Sequence, residues 1–527
     1  MRSDSLSTHP RIIEDDPTME SSPLLAIIII AIISLISATW FTFYRTRRNE
    51  PFPPGPKGLP LAGNLLDIPS EKEWLTFAKW GEIYGDILSI SILGRRMVVI
   101  NSAQTAIDIL EKKSIIYSER PVMGMAGELV GFKNALVLLS PGTRFRNQRR
   151  LTHQQFGSSA AIKQFSLIVE SETRRLLKRL SDKPEHLAEH IRTTTGAIVL
   201  RIIYGYEVQQ ENDLFVEMVD KVTQYFALSM TPGSFLANPI PMLRHIPDWF
   251  PGAGFKQIAK EWRSTTFLMI DTIYDFVKQQ MATGKACVSF TSKLLESGLN
   301  MEKEFDIKWL AATLHGAGAD TTVAAIYAFF KAMLLFPDVQ TKAQAEIDAV
   351  VGNDRLPQFD DREHLAYINA LVLEVSRWHT VAPLAVPHSV RKDDVHSGYL
   401  IKKGTLVLPN IWKMLHDPVV YKEPFDFNPE RFIRTKDREP EADPYKVAFG
   451  FGRRICPGRL LADSSIFIVC AMVLAVFDIS KYSENGVILE PDTGHTAGNI
   501  SHPTPFKCMI KARSERALDL INRESSV

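Results

Sequence analysis

The sequence is poor in cysteine, and its few cysteines form no recognisable framework. They stand at Cys287, Cys456, Cys470 and Cys508, with no CxxC pair among them. Small secreted domains that depend on disulfides are dense in cysteine, whereas proteins of reducing compartments keep their thiols free. The pattern therefore excludes a disulfide scaffold and favours a reducing compartment. Three of the four are expected to be small buried apolar side chains.

The chain also lacks a net charge of either sign, internal repeats and low-complexity tracts. Its 61 Lys and Arg are balanced by 60 Asp and Glu, which leaves a formal net charge of +1. Nucleic-acid-binding proteins present a basic stripe with interleaved aromatics. No such stripe occurs here, so no nucleic-acid partner is expected. Because no internal linker follows the proline-rich segment near the N-terminus, we predict one large domain over residues 66–527.

One long uncharged run stands at residues 23–44, and it includes the stretch Leu24 to Ile33. A helix of that length spans roughly 33 Å, about one bilayer core. We predict a transmembrane helix at 23–44. The alternative, a cleaved signal peptide, would have a shorter apolar core and a small-residue cleavage site.

The charges that flank this run predict its orientation. Three arginines directly follow it, whereas residues 1–22 carry an excess of acidic side chains. Because positive flanks stay in the cytosol, residues 1–22 are predicted to be a lumenal tail and the body to face the cytosol. Residues 45–65 are predicted to be a short, stiff, basic linker, because prolines fix φ and remove amide donors.

The rest of the sequence is mostly helical in pattern, with a small β region. Residues 87–101 alternate in polarity on both sides of Gly94, which predicts a β-hairpin. Short strand-like pieces recur near 386–390, 398–408 and 504–511. Helical spacing of apolar residues predicts helices over 160–182, 254–282, 305–336, 338–351 and 361–379.

Cys456 stands in a setting that suits a metal-bound thiolate. The run from Phe449 to Gly458 reads FGFGRRICPG, with glycines that let the backbone approach a flat ligand. The apolar run Leu460–Val476 predicts a helix just after the cysteine, and its positive end would stabilise a thiolate. Arg454 can reach a carboxylate on the same ligand. An ordinary glycine-rich turn is the alternative, and the combined spacing FxxGxRxCxG disfavours it.

This segment resembles the cysteine loop of the cytochrome P450 family, and four more motifs follow the family's order. They are FRNQR at 145–149, AGADTT at 317–322, EVSR at 374–377 and PERF at 429–432. The resemblance covers nearly everything after the N-terminal segment, but Phe145 stands where the family usually has Trp. It implies a mainly α haem-thiolate fold with a small β region. Combined with the predicted transmembrane helix, it implies the microsomal type, in the endoplasmic reticulum membrane as a single-pass protein.

The resemblance also implies haem b as cofactor, with Cys456 as its axial thiolate, which favours O–O cleavage. Arg149, Arg454 and His388 match positions that contact the haem carboxylates. Phe449 is expected to shield the iron–sulfur bond and so to tune its potential.

The middle of the predicted helix at 305–336 is unusually small, with Gly316 to Ala319 in succession. These residues either allow a close helix crossing or, as we favour, clear room above a planar cofactor. Asp320 and Thr321 follow directly and supply an acid and an alcohol for proton delivery. His315 is expected to be a packed histidine. Asp306 is predicted to cap the start of this helix.

Glu374 and Arg377 lie three residues apart and can pair on one helical face. Arg431 of the PERF motif is expected to join them and to lock a loop onto the helix. This trio is interpreted as support for the cysteine loop rather than as catalytic machinery.

The sequence thus predicts a membrane-anchored monooxygenase that inserts one oxygen atom from O2 into a lipophilic substrate. The implied partners are a separate NADPH–cytochrome P450 reductase, the substrate and membrane lipid. Segments that match the family's substrate-contact regions are apolar, and several stretches look like fungal, especially basidiomycete, secondary-metabolism members, which suggests a terpenoid. Aromatic, indole-type and fatty-acid substrates stay open. Two other classes also stay open, a reductase-independent peroxide isomerase and a non-catalytic haem sensor.

Overall fold

The computed structural model describes residue 34 and residues 50–209, 213–231, 233–296 and 301–524. The predicted lumenal tail at 1–22 and nearly all of the predicted transmembrane helix at 23–44 lie outside the described residues. The chain divides into two compact units, Met1–Pro51 and Phe52–Val527. The second unit contains all the elements described below.

The α-helices account for most of the regular secondary structure described in the second unit. They are α1 (Glu73–Tyr84), α2 (Ala103–Ala106), α3 (Ser114–Tyr117), α4 (Thr143–Phe156), α5 (Ser159–Lys163), α6 (Ser166–Asp182), α7 (Leu187–Tyr204), α8 (Leu214–Met230), α9 (Gly254–Ala282), α10 (Phe290–Glu296), α11 (Met301–Leu335), α12 (Pro337–Val350), α13 (Ala366–Trp378), α14 (Ile411–Leu415), α15 (Tyr445–Ala448), α16 (Arg459–Val476) and α17 (Glu515–Glu524).

The strands form one four-stranded sheet and three small pairs. The larger sheet has the order β1-β2-β6-β3, with β2 parallel to β6 and the other neighbours antiparallel. The predicted hairpin at 87–101 is confirmed as β1 and β2, with Ile87 opposite Ile100. The strands are β1 (Ile87–Ile92), β2 (Arg95–Ile100), β3 (His388–Ser389), β4 (Asp394–His396), β5 (Tyr399–Ile401), β6 (Leu406–Pro409), β7 (Phe477–Lys481), β8 (Ser483–Glu484), β9 (Val487–Ile488) and β10 (Cys508–Ala512).

Three predicted helix boundaries were wrong. The predicted helix at 160–182 is two helices, α5 and α6, because the chain turns at Gln164 and buries Phe165, whose ring stacks on Phe156 at 5.5 Å. The predicted helix at 361–379 opens as a 3₁₀ turn, Phe359–His364, before α13 begins. Asp306 does not cap α11, which already begins at Met301; instead its carboxylate pairs with Arg144.

Among the described residues, two helical stretches are long and apolar enough to cross a membrane, Lys303–Leu335 and Arg459–Val476. Their most apolar windows are 72% and 61% buried inside the fold. Both belong to the hydrophobic core, where α11 crosses α7 and also contacts α16. This placement sets α11 and the start of α16 on either side of the candidate site.

The predicted linker at 45–65 is described from residue 50 onward. Its later part lies against β1, because the Ser89 amide donates to the carbonyl of Pro54 at 2.7 Å and Gly63 bridges Ile92. Gly63 has a φ of +64°, and a Cβ there would stand 2.1 Å from the carbonyl oxygen of Ser91. This part of the chain therefore depends on glycine for its close approach to the sheet.

Candidate active site

The cysteine loop connects a 3₁₀ turn, Gly452–Arg454, to the N-terminus of α16. The amide of Cys456 donates to the carbonyl of Phe449 at 2.8 Å, so this backbone contact closes the loop. Gly452 has a φ of +50°, and a Cβ there would stand 2.6 Å from the carbonyl oxygen of Leu110. A larger residue at position 452 would therefore collide with the backbone at Leu110, so this position of the motif requires glycine. The sulfur lies just ahead of the positive end of α16, as predicted.

Cys456 is the one cysteine in a setting built for a charged sulfur. Burial raises the pKa of its thiol, and the Gly458 amide and the cations Arg149 and Arg459 oppose that rise. A metal cation bound to such a sulfur displaces the proton outright. The donor set therefore fits a thiolate ligand to iron. The expectation that the other three cysteines are buried holds for Cys470, fails for the exposed Cys287, and holds only partly for Cys508.

Two of the three guanidinium nitrogens of Arg454 donate to backbone carbonyls, and the third has no partner among the described residues. Its Nε donates to the carbonyl of Ser118 at 2.8 Å and its Nη2 to that of Leu139 at 2.6 Å. The third nitrogen, Nη1, is buried and has no hydrogen-bond partner among the described residues. Burial, opposed by Glu119 and assisted by Arg149, lowers the pKa of Arg454 to about 10. A buried donor without a partner is costly, and a ligand carboxylate would satisfy it.

Arg149 contacts the cysteine loop, and His388 lies within the electrostatic influence of Arg454. Arg149, on α4, donates through Nη1 to the carbonyl of Ile455 at 2.7 Å, next to the cysteine. His388, in β3, is buried, and its Nδ1 lies 2.8 Å from the carbonyl oxygen of Tyr117. Burial, followed by the charges of Arg120 and Arg454, lowers the pKa of His388 well below its ordinary value. The imidazole is therefore neutral at physiological pH.

Sequence reasoning missed Arg120, which lies within the electrostatic reach of both Arg454 and His388. Its side chain is buried, with Nη1 donating to the carbonyls of Val386 and Pro387 at 2.6 and 2.8 Å. The only local sign was a charged residue before Pro121 in a largely apolar stretch. This signal is weak, because two of the three carbonyls that Arg120 binds are more than 260 residues away in sequence and the third, that of Val137, is 17 residues away.

The small residues of α11 lie in two different environments, one packed against a helix and one exposed. Gly318 abuts α7, where a Cβ would stand 3.2 Å from Val199. The close helix crossing, which we disfavoured, therefore accounts for Gly318. Ala317 on another side of the helix is exposed, and the hydroxyl of Thr321 donates to its carbonyl at 2.7 Å. The Thr321 hydroxyl thus shares the carbonyl of the preceding helical turn with the backbone ladder of α11.

Asp320 and Thr321 are neighbours in sequence, but their side chains leave α11 about 100° apart. The Asp320 carboxylate faces His502, whose Nε2 lies 3.2 Å from Oδ1 and 3.3 Å from Oδ2. Sequence reasoning did not find this histidine. His315 is 1% exposed and packs edge-on against Tyr204 with 5.7 Å between ring centroids, as expected of a packed histidine.

The predicted support trio is present and buried. Glu374 accepts from Arg377 through both carboxylate oxygens, at 2.7 and 2.8 Å, and from Arg431 at 3.1 Å. Arg377 also donates to the carbonyls of Leu415 and Pro424. The trio therefore locks the segment before the cysteine loop onto α13, and none of its members lies against the sulfur.

Comparison with known proteins agrees with this arrangement. Residues 53–509 match the cytochrome P450 family. The chain is 51% identical over 489 residues to cytochrome P450 monooxygenase 208 of Postia placenta, covering 92% of this chain and 96% of that protein. It is 46% identical to monooxygenase claR of Ampulloclitocybe clavipes, covering 91% and 89%. It is 41% identical to monooxygenase ppsD of Aspergillus oryzae, covering 89% and 90%.

A mostly helical fold with small sheets and a cysteine loop at the start of a core helix define a haem-thiolate class of enzyme. The chain belongs to the cytochrome P450 family, and it is an enzyme of the P450 monooxygenase class. The cofactor of this family is haem iron ligated by a cysteine thiolate.

Proposed function

We propose that this protein is a membrane-anchored monooxygenase that hydroxylates a terpenoid or a similar secondary-metabolite intermediate, with Cys456 as its axial ligand. The observation that carries the proposal is the half-buried Cys456 sulfur before α16, which is influenced by Arg149 and Arg459, together with the buried Nη1 of Arg454, which has no partner among the described residues. Haem b bound there would supply dioxygen activation. The residues of the chain would hold the sulfur, bind the haem carboxylates and bring protons.

Each site residue has a separate task in this proposal. Arg149, Arg454 and His388 hold the haem carboxylates, and the unpredicted Arg120 adds positive charge beside them. Phe449 fixes the cysteine amide through its carbonyl and shields the sulfur. Asp320 and Thr321 move protons from the solvent side toward the reacting oxygen.

The ligand assignment is tested by the absorption spectrum of the reduced protein under carbon monoxide. The wild-type protein should show the red-shifted Soret band of thiolate ligation, and Cys456→Ser should lose it. Cys470→Ser, in the same helix α16, is the matched control and should keep the band. The assignment is wrong if the two variants behave the other way round.

A separate reductase is proposed as the electron donor. Lys446 and Arg453 are exposed and Arg459 is half-buried, all close to the cysteine loop, where they can meet an acidic partner surface. Product formation should require both NADPH and added reductase. A peroxide isomerase would need neither, and a haem sensor would form no product. The acid–alcohol pair at 320–321 favours the monooxygenase.

Membrane association is proposed from the predicted helix at 23–44 and from exposed apolar side chains of the body. Leu61 is 95% exposed and Trp249 is 80% exposed. Such exposed apolar side chains are suited to contact lipid. In cell fractionation, the full chain should sediment with endoplasmic reticulum membranes and resist a high-salt wash.

The substrate class is tested by titration of terpenes, sterols, fatty acids, aromatics and indole amines, with the Soret shift as readout. An apolar skeleton binds through burial alone, at about 25 cal/mol per Å². A protonated amine needs a carboxylate partner, because burial of an unpaired charge is costly. Terpenoids should give the strongest shift. A shift with only amines or fatty acids would reject this substrate class and leave the monooxygenase proposal standing.

A further inference from the structure

A cavity lined by both polar and apolar side chains lies against α11. Its volume is about 350 Å³, and α7, α8 and the loop around residues 496–502 close its other sides. The α11 residues that line it include His315, Ala319 and Val323, which repeat at a four-residue interval along one face, together with Asp320. Thr321, one position further, leaves the helix about 100° away. Asp320 thus stands between this cavity and the side of the helix that carries Thr321.

Two residues that line the cavity carry buried polar atoms in need of a hydrogen-bond partner. Nδ1 of His315 and Nδ2 of Asn499 are buried without a hydrogen-bond partner among the described residues, and both residues line the cavity. Buried polar groups in folded proteins are bonded either to protein or to water. A cavity of this size with several polar partners is suited to hold ordered water.

His502 is held firmly where it meets Asp320. Two hydrogen bonds to Thr496 fix the backbone of His502. The His502 amide donates to Oγ1 of Thr496 at 2.9 Å, and the Thr496 amide donates to the His502 carbonyl at 2.8 Å. The next residue back, Ser501, donates to the carbonyl of Val381 at 2.8 Å. These bonds hold the backbone of the loop that carries the imidazole beside the Asp320 carboxylate.

We propose that His502 is a positioning residue for Asp320. Its Nε2, 3.2 Å from Oδ1 and 3.3 Å from Oδ2, holds the Asp320 carboxylate at the wall of the cavity, one residue from Thr321. A hydrogen bond to an ionised carboxylate is roughly twice as strong as a neutral one, so removal of the imidazole donor releases the carboxylate. The proposal deepens the proposed function, on which it rests, because the position of Asp320 matters only if Asp320 delivers protons.

The surroundings of the pair carry charge of both signs. Asp220 on α8 interacts electrostatically with Asp320 and with Arg192 of α7. His379, after α13, interacts electrostatically with His502. Asp220 is a second carboxylate at the cavity, so Arg192 and the imidazole of His502 face two acids there. The titratable and charged groups around the pair are Arg192, Asp220, His315, Lys331, His379 and His495.

The experiment compares His502→Leu, which cannot donate a hydrogen bond, with His502→Arg, which can. Product formed per NADPH is measured for both variants and for the wild type at one pH. His502→Arg should couple nearly as well as the wild type. His502→Leu should couple about tenfold less well, as loss of one hydrogen bond to a charged group implies. His364→Leu, at an exposed histidine, is the control and should match the wild type.

A second measurement does not depend on turnover. The carbon monoxide stretching frequency of the reduced, ligated protein should differ from the wild-type value in His502→Leu and should stay near it in His502→Arg. The Soret band and the thermal midpoint of each variant report whether it is folded. The proposal is overturned if a folded His502→Leu keeps wild-type coupling and the wild-type stretching frequency. If Thr321→Ala and Asp320→Asn also leave coupling unchanged, the proton-delivery part of the proposed function fails instead.

Discussion

At the scale of single residues, the planar fork of Arg454 explains why arginine stands at this position. Two of its nitrogens hold the carbonyls of Ser118 and Leu139, and the third is left for a ligand. A lysine would carry the same charge but could not make these three directed bonds from one planar group. The role of Arg454 therefore depends on geometry as well as on charge.

We accordingly expect Arg454→Lys to weaken haem retention. Each hydrogen bond to a charged group is worth about 1.5–3 kcal/mol, so haem transfer to apomyoglobin should accelerate by about tenfold or more. Arg453→Lys changes the exposed neighbour and should leave the transfer rate unchanged. Equal rates for the two variants would refute a carboxylate contact by Arg454.

Thr321 is expected to control coupling rather than haem or substrate binding. Its hydroxyl donates to Ala317 inside α11, so Thr321→Ala leaves the backbone ladder intact. The variant should bind substrate normally but divert reducing equivalents to hydrogen peroxide, which is measured as NADPH consumed per product. Thr322→Val, at the buried neighbour, is the matched control. Unchanged coupling in Thr321→Ala would remove Thr321 from the proton path.

Sequence reasoning found the residues that lie in short motifs and missed those that act across the fold. The expectation of a buried trio was correct because Glu374 and Arg377 share one helical turn. Arg120 and His502 were missed because their partners, Val386 and Asp320, lie far away in the sequence. The spacing of residues along the chain carries no information on such contacts.

At the scale of elements, the same limit applies to helix boundaries. Periodicity located the long helices α9 and α12 within a residue of their observed ends. It did not locate the break before α6, which comes from the packing of Phe165 on Phe156. The 3₁₀ turn before α13 did have a local sign, a capping box between Gln358 and Asp361.

The trio that joins α13 to the PERF turn should be the main stabilising contact between these elements. Glu374→Gln strands two buried guanidinium groups, and breaking a buried pair costs about 3–5 kcal/mol. The urea midpoint should fall markedly, and haem should be lost at lower urea. Glu430→Gln removes an exposed partner of Lys342 in the same turn, and such surface pairs contribute about 0–1 kcal/mol. Similar midpoints for both variants would contradict a structural role for the trio.

At the scale of the whole molecule, the five ordered motifs predicted one P450 fold because each occupies a fixed place around one site. They did not predict how many histidines the fold buries in neutral form. Burial lowers the pKa of His315 and His416 to about 3 and that of His495 to about 4, and it lowers those of His379 and His388 well below the ordinary value. They stand in α11, directly after α13 and α14, in β3 and in the loop at His495. Their protonation therefore depends on burial in several parts of the fold.

The buried histidines predict that acid destabilises the protein. Below the ordinary histidine value of 6.5 the unfolded chain takes up protons that the folded chain excludes, so the unfolded state binds more protons and stability rises with pH. Each such group can contribute up to about 1.4 kcal/mol per pH unit below that value. The thermal midpoint should therefore fall from pH 7.5 toward pH 5. His416→Asn removes one of these groups and should reduce the slope, whereas His364→Gln, at an exposed position, should not. A midpoint that stays level or rises on acidification would mean that these histidines become protonated inside the folded protein.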